Sequence, residues 1–137
     1  MFFKKEKLGN KNEDLIKVAA LLIHAAKIDE NYSNKEEEIV KKTLLEIGAD
    51  KENLEKLLEN AKKAEANSVQ ILDFTKEVKN MKDVNKIKIV ETLWRIIYSN
   101  DDADVYEINL MRRLEGLLYI DSNIMGAIKD KIKKENK

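Results

Sequence analysis

The sequence predicts an all-α fold, a compact bundle of about seven helices built from two related three-helix units joined by a connecting helix. Proline is absent and only four of the 137 residues are glycine, so the chain has few residues that interrupt helices. Apolar residues recur three and four positions apart along most of the chain, which is the period of an amphipathic helix. In addition, the residue pattern of the first three predicted helices recurs 71 positions later in the chain.

The first three predicted helices form the first unit. The first helix, at about 12–28, has apolar residues on two faces, as is typical of a helix at the centre of a bundle. The second, at about 34–47, is followed by Gly48, which can adopt the left-handed conformation that often terminates a helix. The third begins after Asp50 and has an apolar face.

The remaining helices are the connector and the second unit. The connector is expected to have Asn67 or Ser68 as its N-cap. The fifth helix, at about 83–99, is the second central helix, and the sixth and seventh follow Asp104 and Asp121. The residues expected to face the core in these four helices are Ile71, Phe74, Val78, Met81, Ile87, Ile89, Val90, Leu93, Trp94, Ile96, Ile97, Leu110, Met111, Leu114, Leu117, Leu118, Ile124, Met125, Ile128 and Ile132.

The repeat is most informative in the turns, because amphipathic helices match each other by chance whereas polar turn residues do not follow from periodicity. The polar pairs that the shift relates are Asp29 with Asn100, Ser33 with Asp104, and Glu36 with Glu107. We therefore divide the chain into an N-terminal arm at 1–11 and one helical domain at 12–134, with repeat units at about 12–66 and 83–134. Two such units usually pack face to face, since each alone leaves an apolar face exposed.

Charge and composition exclude several classes of function. Lys plus Arg and Asp plus Glu number 26 each, so the formal net charge is zero. A nucleic-acid-binding protein usually has a basic excess, so no nucleic-acid partner is expected. Without cysteine there is no disulfide, thiolate nucleophile or zinc–thiolate site. His24 is the only histidine and has no nucleophile pattern beside it, so we expect a protein that is not an enzyme.

The N-terminal segment leaves two interpretations open. No apolar run approaches the length that spans a bilayer, and Met1–Leu8 is too short for a secretory signal, so a cytoplasmic location is expected. Phe2 and Phe3, beside three lysines, would suit peripheral contact with the inner face of a membrane through Met1–Lys7. The alternative is a frayed terminus or a small apolar contact with the core.

Two acidic turns, at 27–36 and 98–107, are the candidate site. Ser33 and Glu36 have the spacing of a capping box, and an acid in a first turn is also favoured by the helix dipole, so capping explains Glu36 and Glu107. It does not explain Asp29 or Asn100. If the two turns meet, their oxygens would converge on a hard cation such as calcium or magnesium. Neither turn has the glycine and glutamate positions of an EF-hand.

These turns resemble the signature of the TerB family of tellurite-resistance proteins, Ala-x-x-Asp-Gly-x-(apolar)-x-x-x-Glu, which occurs twice in a seven-helix domain. Ala26, Asp29, Tyr32 and Glu36 match the first copy. The second copy is similar through Leu93–Trp94, Tyr98, Tyr106–Glu107, Leu110, Arg112–Arg113 and Leu117–Leu118. The resemblance extends from about Asp14 to Lys131. The chain departs from the signature at the glycine and at the second aspartate, where the residues are Glu30, Asp101 and Asn100.

The resemblance implies a bacterial, non-catalytic stress-response module with a divalent-cation site. The cation would be calcium, magnesium or manganese, and the implied ligands are Asp29, Glu36, Asn100 and Glu107, with Asp101 and Asp102 as auxiliaries. Similar domains lie beside J-domains in membrane-anchored co-chaperones, so one alternative is a metal-free interaction module of a membrane-associated complex. A metal-dependent hydrolase is a second alternative, without an identified cleft or general base. A protein partner is expected, but the sequence specifies neither the partner nor the oligomeric state.

Overall fold

The computed structural model describes residues 2–28, 33–68, 71–99 and 105–135, with side chains described from Glu13 onward. These ranges contain seven α-helices and no strand, which confirms the predicted fold class. The helices are α1 (Phe2–Lys27), α2 (Asn34–Glu46), α3 (Leu54–Asn67), α4 (Leu72–Lys79), α5 (Asp83–Tyr98), α6 (Val105–Leu117) and α7 (Ser122–Glu135), and a short 3-10 helix at Lys51–Asn53 precedes α3.

The two central helices are α1 and α5, as predicted. They pack against each other, and Leu22 and Leu93 at their equivalent positions are both fully buried. α3 packs on α1 and α7 packs on α5, while α2 lies against both central helices. The connector α4 contacts α1 and α6. This arrangement gives one continuous apolar core.

Both α2 and α6 end in the same backbone motif. The Ala49 amide donates to the Leu44 carbonyl over 2.9 Å, and 71 residues later the Ile120 amide donates to the Glu115 carbonyl over 3.1 Å. Such a six-to-one bond, with a shorter bond nested inside it, is a Schellman motif that satisfies the carbonyls at the end of a helix. The repeat therefore extends to individual hydrogen bonds.

The two motifs differ in the residue that carries the left-handed conformation. It is Gly48 in the first unit, with φ 117°, and Tyr119 in the second, with φ 55°. Only glycine adopts such a conformation without a steric cost from Cβ. The Tyr119 ring is exposed and lies 4.4 Å from the Lys79 ammonium, a distance at which a cation is attracted to the ring face.

Equivalent positions on the two central helices each contact a glutamate on the third helix of the same unit. His24 on α1 lies 3.2 Å from the Glu65 carboxylate on α3, and Arg95, at the equivalent position on α5, donates to Glu135 on α7 over 3.1 Å. The single histidine thus has a structural contact.

Two predicted helix starts differ from the structure. α1 begins at Phe2 rather than near residue 12, so the backbone of the N-terminal arm is helical and continuous with α1. α3 continues to Asn67, and the N-cap of α4 is Ile71 rather than Asn67 or Ser68. Propensity favours polar caps, but α4 begins without a side-chain cap hydrogen bond. No helix in the described ranges has the length and apolar composition needed to cross a membrane.

Two residues predicted to face the core do not. Ile87 is 38% exposed and Ile124 is 47% exposed. Ile87 is equivalent to Ile16, which is partly buried on α1, the central helix that the connector α4 packs against. No fourth helix follows α7 in the described ranges, so the corresponding face of the second unit has less cover.

Candidate functional site

The acidic turns each contribute one buried glutamate. Glu36 is 1% exposed and Glu107 is 4% exposed, and they are the only charged residues with so little exposure among those that the structure describes. Each is the third residue of its helix, α2 or α6. A glutamate is rarely buried unless its charge is compensated by hydrogen bonds or a counter-ion. The repeat has therefore placed two carboxylates in equivalent buried positions.

Glu36 takes part in the predicted capping box. Its Oε1 accepts hydrogen bonds from the Ser33 amide over 2.8 Å and from the Ser33 hydroxyl over 3.0 Å, and its own amide donates to Ser33 Oγ over 3.2 Å. These bonds hold the carboxylate against the N-terminus of α2, where the helix dipole also favours a negative charge. The capping prediction is confirmed for the first turn. In the second turn the equivalent residue, Asp104, lies outside the described residues.

One contact brings the two turns side by side. The Lys35 ammonium donates to the Ser99 carbonyl over 3.3 Å. Lys35 lies in the first turn of α2 and Ser99 is the C-cap of α5, so the end of the first acidic turn lies against the start of the second. Lys35 is exposed on the surface of α2. Its partner is 64 residues away in sequence, and no local spacing pattern could have identified it.

The basic residue that precedes the first turn is already paired. Lys27 donates to Glu65 over 2.6 Å. Partial burial acts to raise the pKa of Glu65, but hydrogen bonds from Lys27 and His24 outweigh it, so the pKa lies below its ordinary value. Glu65 therefore stays ionised, and its ion pair with Lys27 joins α1 to α3.

The structure describes two of the four predicted primary ligands. It places Glu36 and Glu107, whereas Asp29 and Asn100, together with Asp101 and Asp102, lie outside the described residues. Within the described part of the chain, no three acidic, histidine or cysteine side chains form a group that could hold a metal ion. Two buried carboxylates nevertheless have the oxygen chemistry that calcium, magnesium and manganese prefer, so the residues present fit such a cation as part of a larger ligand set.

Trp94 and Tyr98 form an aromatic pair near the C-terminal end of α5, next to the second acidic turn. The Trp94 and Tyr98 rings stack with centroids 5.8 Å apart, and both side chains are buried. Residues four positions apart on a helix lie on the same face, so their side chains can meet. The pair fixes the last turn of α5, from which the second acidic turn departs.

Comparison with known proteins gives one match. The model of the family described as "Tellurite resistance protein TerB" matches residues 15–130, a span that includes both acidic turns and all seven helices in whole or in part. No curated protein and no solved structure matches the chain.

Proposed function

The chain belongs to the TerB family, and from that premise we propose that it is a non-catalytic stress-response module that binds a divalent cation through its acidic inter-helix turns. The proposed ligands are Asp29, Glu36, Asn100 and Glu107, with Asp101 and Asp102 as auxiliaries. Calcium, magnesium and manganese are the candidate cations, because the donors are carboxylate and amide oxygens.

The observation that carries this proposal is the burial of Glu36 and Glu107 at equivalent positions. A capping role alone needs only a partly exposed carboxylate in a first turn, and burial adds a desolvation cost that a cation would offset. The contact between Lys35 and Ser99 supports the convergence of the two turns. Each turn also carries an acidic or amide residue at its entry, which capping leaves unexplained.

The test is a thermal-unfolding and calorimetric titration of the full chain with calcium, magnesium and manganese chloride in turn. A cation that binds only the native state stabilises it, by about 2.7 kcal/mol at a concentration one hundred times the dissociation constant. We expect Asp29→Ala to remove this rise. Ser33→Ala should lower the melting temperature by removing the cap, at about 1 kcal/mol, yet leave the cation-dependent rise in place.

The matched control is Asp130→Asn, which removes an exposed carboxylate on α7 far along the chain from either turn. It should leave the response to the cation unchanged. The proposal is wrong if none of the three cations, at millimolar concentration, gives a heat of binding or raises the melting temperature. A response that is retained in Asp29→Ala would remove Asp29 from the proposed ligand set, and one that is lost in Ser33→Ala would show that binding depends on the cap.

A metal-free interaction module is the second candidate, favoured by one observation. Val105 and Tyr106, which precede Glu107 at the start of α6, are 64% and 71% exposed. Exposed aromatic and apolar residues beside an acidic rim are common at protein interfaces. A chain that fails the cation titration while remaining stably folded would favour this function.

A further inference from the structure

The groove between the second and third helices differs between the two units. In the first unit, ion pairs span α2 and α3: Lys41 lies 2.8 Å from Glu55, and Lys62 lies 2.7 Å from Glu37. Each pair joins one cation to one carboxylate across the groove. We call this surface the α2–α3 groove.

The second unit keeps the cations of these pairs and lacks the acids. The residues equivalent to Lys41 and Lys62 are Arg112 and Lys133. Those equivalent to Glu55 and Glu37 are Gly126 and Ile108. In the part of the chain that the structure describes, no hydrogen bond or ion pair involves the Arg112 guanidinium. The corresponding surface, the α6–α7 groove, is therefore an incomplete version of the first.

A cleft of about 170 Å³ lies in this groove. Its volume is several times the roughly 30 Å³ that a water molecule occupies in the liquid, so the cleft has room for a side chain. Its lining residues include Ile108, Met111 and Arg112 from α6 and Met125, Gly126 and Lys129 from α7. A Cβ atom built on Gly126 would meet nothing within 4 Å, so the missing side chain leaves open space in the cleft that Arg112 also lines.

The floor of the cleft is apolar and its rim is basic. Trp94 forms the floor with two methionines, and its indole N–H points to Met125 Sδ at 3.4 Å. The Lys129 ammonium lies 5.5 Å from the Trp94 ring centroid, and lysine replaces the buried leucine found at the equivalent position of the first unit. The one acid on the wall, Glu115, accepts a hydrogen bond from the Ser122 hydroxyl over 2.8 Å.

We propose that the α6–α7 groove is a docking site for an acidic segment of a partner protein, in which a carboxylate beside an apolar side chain takes the place that Glu55 holds in the first unit. The partner's carboxylate would accept hydrogen bonds from the Arg112 guanidinium, a planar fork suited to carboxylates. Its apolar side chain would cover the methionine and tryptophan floor, where thioethers adapt to varied shapes.

Charge complementarity selects this occupant. Relative to the first unit, the groove has lost two carboxylates and kept both cations, and it has gained one cation at Lys129 and one acid at Glu115. Three cations therefore stand against one acid, and that acid accepts a hydrogen bond from Ser122. A partner that restores one carboxylate reproduces an interaction already present in the same fold, between Lys41 and Glu55.

The experiment measures fluorescence of Trp94, the single tryptophan, while the full chain is titrated with a blocked peptide of residues 52–61. This acidic peptide has three glutamates and one lysine, and it places Leu54 beside Glu55, the carboxylate that pairs with Lys41 in the first groove. A second peptide with Glu55→Gln is the control for charge. We expect the first peptide to bind roughly fivefold more tightly than the second, the range for a charge-assisted pair at a partly exposed site. Arg112→Ala should remove that preference, and Arg113→Ala, outside the lining, should keep it.

Two substitutions at Gly126 form a matched pair. Gly126→Ala and Gly126→Glu both replace a glycine inside α7, which favours the helix, but only the second supplies a carboxylate to Arg112. We expect Gly126→Glu to unfold at the higher temperature and to lose peptide binding, whereas Gly126→Ala keeps it. An equal response to the two peptides, or equal binding by the two Gly126 variants, would overturn the proposal. Sedimentation that reveals self-association of the chain dependent on Arg112 would also overturn it, in favour of a second copy as the occupant.

Discussion

The α2–α3 groove and the α6–α7 groove occupy equivalent places in the two units, yet ion pairs close the first and an open cleft lies in the second. The buried parts of the units have not diverged in this way. Both central helices contribute fully buried apolar side chains to the core, and both second helices end in the same hydrogen-bonded motif. The comparison teaches that core packing constrains the repeat, since a lost contact there is costly, whereas charges on the rim can be exchanged at little cost to stability.

The largest expected effect comes from the shared core. Leu22→Ala and Leu93→Ala truncate equivalent, fully buried side chains on α1 and α5, and each should lower the free energy of unfolding by about 2–5 kcal/mol. Chemical denaturation measures both. If the two units form one core, each variant should still unfold in a single transition. Two separate transitions, or a loss confined to one variant, would break the equivalence of the units.

A smaller effect is expected where the core itself differs. The Thr43 and Thr92 hydroxyls, from α2 and α5, lie 2.5 Å apart, and Thr92 also donates to the Lys88 carbonyl. Thr43 is therefore the donor to Thr92. The equivalent positions in the other unit are the buried leucines Leu114 and Leu21.

A double-mutant cycle with valine tests this pair. Thr92→Val leaves the Thr43 hydroxyl buried without its acceptor and should cost about 1–2 kcal/mol. The double variant should cost less than the sum of the single variants, because no unsatisfied hydroxyl remains. Additive losses would mean that the hydroxyls are not coupled.

The smallest effect concerns a pair of carboxyl groups between α1 and α4. Burial and a hydrogen bond with Glu77 raise the pKa of Asp14 to about 6, with Lys17 opposing this rise and Glu13 adding slightly to it. Because the native pKa exceeds the ordinary value of 3.8, the pair contributes stability that is present at low pH and is lost as the pH rises through about 6. The second unit has Asn85 at the equivalent position.

Asp14→Asn should therefore stabilise the protein at pH 7.5 and give no gain at pH 4.5. The carboxyl is partly solvated, so screening limits the gain to less than about 1 kcal/mol. Melting temperatures at the two pH values measure it, with Asp73→Asn, an exposed acid on α4, as the control. A gain of the same size at both pH values would contradict the assigned titration.

The sequence alone determined the number and order of the helices, the two central helices, the capping box at Ser33 and the family. These follow from periodicity and from contacts between residues a few positions apart, which a linear pattern contains. It did not determine that Ile87 and Ile124 are exposed, since periodicity identifies an apolar face but not the helix that covers it.

Only the tertiary structure decided which residues far apart in the chain meet. Lys35 reaches Ser99, Thr43 reaches Thr92, and Arg112 lines the same cleft as Gly126. Each depends on how helices are placed against one another, and that placement is set by the packing of the whole core rather than by any local run of residues.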